Sequence, residues 1–97
     1  MFDLPVSTAE ERRSYRRFRK NLLKAGYCAV QESVYVKLLR SSRTVDAELL
    51  HLKLLAPDNG KVLAMPMPLA QFKLMTAIRG AEFDFSLFSD DIVYVSA

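Results

Sequence analysis

One acid and seven cations near the start of the chain are the residues whose types and spacing could do chemistry. Asp3 stands in the run Phe2-Asp3-Leu4-Pro5, and Arg12, Arg13, Arg16, Arg17, Arg19, Lys20 and Lys24 follow. A strand-end carboxylate beside a dense cationic arc suits a metal ion and phosphates. Arginine presents forked donors that match phosphate oxygens, and contacts to a nucleic-acid backbone give affinity without sequence choice. Arg12, Arg13, Arg16, Arg17, Arg19 and Lys20 are therefore the candidate phosphate ligands. The plainer reading is a solvated helix face on which Glu10 or Glu11 pairs with arginines one turn later, each pair giving a few tenths of a kcal/mol. For Asp3 the plainer reading is a turn aspartate that accepts backbone N–H bonds.

The element that must position the cations is a helix over residues 7–25. Ser7 and Thr8 are both good N-caps, with Glu10 and Glu11 three residues after them, which gives two overlapping capping boxes. Gly26 supplies the stop. At about 100° per residue Tyr15, Phe18 and Leu22 share one stripe, and the cations wrap round the other side. Leu23 falls inside that arc, where a partner surface could cover it.

Composition narrows the classes. Ninety-seven residues make one domain, half of it apolar. One cysteine forms no internal disulfide, which agrees with a reducing compartment. One Cys and one His cannot build a tetrahedral zinc site. No apolar run is long enough for a membrane helix and no leader pattern opens the chain, so a cytoplasmic protein without membrane association is expected. The net charge of +3 is unevenly spread: residues 1–53 carry eleven Lys/Arg against six Asp/Glu, and residues 54–97 three against five. The positive field is local and attracts nucleic acid, an anionic membrane or an acidic protein.

Residues 27–31 and 33–39 are rich in strand formers and predict two strands joined by a tight turn at 31–33, or one bent strand, since no Gly or Asn marks the turn. A second helix is predicted over 44–56. Val45, Leu49, Leu52 and Ala56 share one of its faces, and Ala47, Leu50 and Leu54 form a second apolar side that predicts partner contact. A strand over 61–67, a short helix over 69–78, a half-buried strand over 83–87 and a last apolar strand over 92–95 complete the chain. The order predicts an α+β sandwich of ferredoxin-like βαββαβ type over residues 1–80, with residues 81–97 as a C-terminal strand extension involved in dimer contact.

Four stretches together resemble the CRISPR-associated protein 2 family, in its type II-like branch. They are Phe-Asp-Leu-Pro (2–5), Glu-Glu-Arg-Arg through Tyr-Arg-Arg-Phe-Arg-Lys (10–20), Leu-Leu-Lys-Ala-Gly-Tyr (22–27) and Gln-Glu-Ser-Val-Tyr-Val-Lys-Leu (31–38). The resemblance covers residues 1 to about 80 well and the tail weakly. It implies a ferredoxin-like homodimer in which two copies of Asp3 face each other and bind Mg²⁺, for which two carboxylates and several waters suffice. A water on that ion could attack a phosphodiester. The resemblance also implies a role in spacer acquisition, with the dimer bridging CRISPR integrase subunits along captured protospacer duplex DNA. The alternative it implies is a metal-dependent endonuclease acting on RNA or DNA. The C-terminal strand would add to the partner's sheet. Relatives usually carry several more apolar residues before the Phe-Asp pair. The short first strand here predicts low stability, or a compensating rearrangement or association at that edge.

Gln31, Ser33 and Tyr35 fall near the dimer cleft if the resemblance holds. Ser33 could bond a metal-bound water or simply end the turn, and Tyr35 could stack on a partner ring or simply pack in the core. His51 has no acid or nucleophile at triad spacing and reads as structural. Cys28 reads as a small core residue. A third function, a regulatory ferredoxin-like dimer without nucleic acid, stands beside the scaffold and the nuclease.

Overall fold

The computed structural model describes residues 1–85 and 94–96. The elements run β1 (Phe2–Asp3), α1 (Ala9–Lys24), β2 (Cys28–Gln31), β3 (Val34–Leu39), α2 (Val45–Leu55), β4 (Lys61–Val62), α3 (Leu69–Phe72) and β5 (Tyr94–Ser96). The first six follow the βαββαβ order, and the chain has the mixed α+β architecture of a ferredoxin-like fold, with two small antiparallel sheets. β1 pairs with β4, and β3 lies between β2 and β5. A backbone bond from the Phe2 N–H to the Ser33 carbonyl, 3.0 Å, brings the two sheets together.

Of the two overlapping capping boxes, Thr8 and Glu11 form the real one. The Thr8 hydroxyl accepts from the Glu11 N–H at 3.0 Å, and the Glu11 carboxylate accepts from the Thr8 N–H at 2.9 Å. Such a cap stabilises a helix by about 1 kcal/mol. Gly26 follows the last turn at φ 98°. The predicted stripe is the buried one: Phe18 and Leu22 join Phe2, Leu4, Tyr27, Tyr35 and Leu52 in a core between sheet and helices. Phe2 stands at its centre. Its ring stacks on Tyr35 at 5.7 Å and meets Phe18 and Tyr15 edge-on at 5.0 and 5.8 Å. Rings at these distances add about 0.5–1.5 kcal/mol per pair beyond area burial.

The choice between hairpin and bent strand is settled for the hairpin. Gln31 pairs with Val34 across Glu32 and Ser33, and Ser33 takes the left-handed conformation at φ 65° that Gly or Asn more often supplies. α2 is entered through a 3-10 turn at Ser42–Thr44, where the Ser41 hydroxyl accepts from the Arg43 N–H. Leu52 is buried, while Leu50 and Leu54 on the second apolar side stay exposed. Glu48 on α2 accepts from Tyr27 Oη at 2.9 Å and from Lys37 Nζ at 3.1 Å, which ties the helix to β3.

Three expected elements are shorter or different. The strand over 61–67 is regular only at Lys61–Val62, because its partner offers only Phe2 and Asp3, extended by the Leu63 N–H to Met1 carbonyl bond. The helix over 69–78 stops at Phe72. Leu74 and Ile78 beyond it are 77% and 95% exposed, so another turn would bury little among the described residues. Residues 83–85 are not a strand. Phe83 and Phe85 instead pack edge-on against Phe72 and each other, all three centroids 5.5 Å apart. The remainder of that expected strand, residues 86 and 87, lies outside the described residues. Of the last strand expected over 92–95, residues 92 and 93 lie outside the described residues, and a strand runs over Tyr94–Ser96. In this single chain it pairs with the chain's own β3, Leu39 against Tyr94 and Lys37 against Ser96. The outer half of β3 is thereby paired within the chain, where the resemblance implied pairing with a partner's sheet.

Candidate nucleic-acid interface

α1 lays Phe18 and Leu22 on the sheet and turns its cations outward. Arg12, Arg13, Arg16, Arg17, Arg19 and Lys20 are all exposed, and so is Leu23 among them. Their engagements differ. Arg12 donates from Nη1 to the carbonyls of Val6 and Ser7, each 3.3 Å, and so belongs partly to the helix entry. Arg19 donates from Nε to Tyr35 Oη at 2.9 Å. Arg13, Arg16, Arg17 and Lys20 have no ion pair or side-chain hydrogen bond among the described residues. Four unpaired cations within two helical turns make a field that an anionic polymer would screen.

Asp3 lies on the other side of the sheet. Side chains alternate along a strand. Phe2 and Leu4 are buried toward α1, so exposed Asp3 and Met1 project from the opposite face. The chain neighbours of the sequence, acid and cations, are thus separated by the sheet. The turn over 57–60 holds Asp3 in place. Gly60, at φ 77°, packs so close that a Cβ there would come within 2.6 Å of the Asp3 carbonyl oxygen and of Leu4 Cδ2. Lys61 faces Asp3 in register. Among the described residues no three His, Cys, Asp or Glu side chains gather as a metal site. Among the described residues Asp3 is thus not part of a ready-made cluster, and the arrangement implied by the resemblance draws its second carboxylate from the other copy.

The face that carries Asp3 also carries an open apolar groove of about 750 Å³. Val34 and Val36 of β3 form its floor, with Leu63, Met65, Leu74 and Met75 around it and Met1 at one end. α3 and the Phe72–Phe83–Phe85 cluster cover only the other part of this face. The three residues expected near a cleft are divided. Gln31 is exposed on a second groove, beside Met75 and Glu82. Ser33 serves through its backbone, by its turn conformation and its bond to Phe2. Tyr35 is 3% exposed on the α1 side, in the core and not in the groove. The bond between Arg19 and Tyr35 had no sequence signal beyond the nearness of Arg19 to the core stripe.

His51 is exposed on α2. Cys28 is half-buried, and desolvation raises its thiol pKa above the ordinary value, which disfavours the nucleophilic thiolate.

Comparison with known proteins decides the family. The family described as "CRISPR associated protein Cas2" matches residues 1–75. The chain belongs to the CRISPR-associated protein Cas2 family. A CRISPR-associated endoribonuclease Cas2 of Streptococcus mutans serotype c (strain NN2025) is 41% identical over 91 residues, 94% of this chain and 84% of the relative. Relatives of the same name from Lacticaseibacillus rhamnosus and Treponema denticola are 35% and 37% identical, over 84% and 81% of this chain and 81% and 78% of their own lengths. The Cas2 assignment makes the chain's role CRISPR-related. Among the described residues no helix is long and apolar enough to cross a membrane.

Proposed function

We propose that this Cas2-family chain is a CRISPR adaptation subunit: a homodimer that bridges integrase subunits and binds protospacer-like duplex DNA through α1. The observation that carries the reading is the division of labour between the two faces. Cations of α1 that have no partner among the described residues lie on one side of the sheet, and an open apolar groove lies on the other. Two copies meeting through the groove would leave both α1 helices outward, as two basic ridges on one particle. A cationic ridge reads phosphate spacing and not sequence, as captured DNA of arbitrary sequence demands.

The test is duplex binding measured against salt. Arg16→Glu with Arg17→Glu should weaken binding more than ten-fold and flatten the dependence of log affinity on log salt, since each phosphate contact contributes a slope near −0.9. Unchanged affinity and slope would remove α1 from the reading. Sedimentation showing only monomer at micromolar concentration would remove the bridge.

A second reading is a metal-dependent endonuclease, favoured by the endoribonuclease names of the relatives and by the exposed position of Asp3. It calls for a second copy: Asp3 projects from the groove face, and a partner across that face would bring another carboxylate. Asp3→Asn should abolish any Mg²⁺-dependent cleavage of RNA or DNA while leaving duplex binding intact. Equal cutting by wild type and variant would end the nuclease reading.

A further inference from the structure

Arg19 differs from the other cations of α1 in how it is held. Arg12, Arg16 and Arg19 recur at spacings of four and three residues and so form one stripe. The helical rise sets them about 6 Å and then about 4.5 Å apart along the axis. Arg16 has no side-chain partner among the described residues. Arg19 gives its Nε–H to Tyr35 Oη at 2.9 Å, and Tyr35 is fixed in turn: its ring is 3% exposed and stacked on Phe2. The bond uses one of five guanidinium N–H donors. The four on the two terminal nitrogens remain, in a plane set by a buried side chain.

We infer that Tyr35 is a positioning residue for nucleic-acid binding: its hydroxyl holds Arg19 so that the terminal amino groups form a pre-set fork for one backbone phosphate. This rests on the reading of α1 as the nucleic-acid surface and names the member of that surface whose geometry is built in advance. A free arginine loses side-chain freedom when it grips a phosphate, whereas a tethered one has already lost it on folding. Tyr35 touches no phosphate itself. Its hydroxyl is the only part the inference needs, because Phe at this position would keep the ring contacts with Phe2.

The experiment uses the full chain and a labelled duplex DNA, with four proteins: wild type, Tyr35→Phe, Arg19→Lys and the double variant. Lysine keeps the charge and lacks the Nε donor, so it tests the fork without touching the core. Tyr35→Phe and Arg19→Lys should each weaken binding on the order of three- to ten-fold. The double variant should bind no more weakly than Arg19→Lys alone, because both changes break one device. In the free protein the Arg19 Hε should exchange slowly with water, and Tyr35→Phe should remove that protection. Melting curves of all four check folding. Wild-type affinity in Tyr35→Phe or in Arg19→Lys would overturn the fork, as would independent, multiplying effects or a fast-exchanging Hε in wild type. Those results leave the basic-helix reading standing. A wild type that binds no duplex fails the helix reading itself, and the fork falls with it.

Discussion

The two faces of the sheet are built to different degrees of completion. On the α1 side Phe2, Phe18, Leu22, Tyr27 and Tyr35 are each at most 8% exposed and interlock ring on ring. On the other side α3 and two phenylalanines cover Val36, while Leu63, Met65 and Leu74 remain about half exposed or more. The first face carries the larger of the two buried clusters. The second keeps apolar surface open among the described residues, available to another molecule, and Asp3 emerges on that side. A finished core and an unfinished one back to back separate the part that makes the fold from the part offered to partners.

The sharpest way to break this comparison is to truncate one side chain on each face. Phe2→Ala should cost about 3–5 kcal/mol in denaturant unfolding, because three aromatic neighbours lose their partner. Leu74→Ala, on the open face, should stay within about 0.5 kcal/mol for the isolated chain. Similar losses at both positions would mean that the open face is structural after all. Gly60→Ala comes next. A Cβ 2.6 Å from the Asp3 carbonyl oxygen, at φ 77°, should cost roughly 2 kcal/mol and loosen β1 from β4. A melting temperature equal to wild type would show that the turn over 57–60 does not position Asp3.

The smallest effect concerns Cys28, which packs against the partly covered face. Desolvation raises its pKa above the ordinary thiol value, so its stabilising contribution is fully present below the unfolded pKa and is lost as pH rises through the higher folded one. Alkylation by iodoacetamide should be slower than for the unfolded chain at pH 8 and approach it only in stronger base. Equal rates at pH 8 would show that α3 does not shield this face.

Much of the architecture was legible because local chemistry and tertiary demand agree. The Thr8–Glu11 box, the Tyr15–Phe18–Leu22 stripe and the stop at Gly26 each have a short-range cause, and α1 follows from them. The two apolar sides of α2 were equally plain, and Leu52 and Leu54 take opposite fates. Elements whose length depends on a partner strand were less legible. Lys61 to Met67 has the composition of a strand, but pairing ends where β1 ends. Phe83 and Phe85 alternate like strand residues, yet Phe72 captures both rings. At the site, the exposure of the α1 cations followed from the stripe opposite them. The separation of Asp3 from those cations did not, because the alternation along β1 has to be set against the position of α1. Tyr35 illustrates the same limit: its type suits a cleft or a core, and only the packing on Phe2 decides.

The join between the two sheets has a dynamic consequence. One N–H, that of Phe2, reaches across to the hairpin, and the same residue plugs the aromatic cluster. Motion that parts the β1–β4 ribbon from the hairpin must break that bond and pull out that ring together. Deuterium uptake at the single Phe2 amide would therefore clock the separation of the molecule's two halves, and should slow in step with uptake at Tyr35.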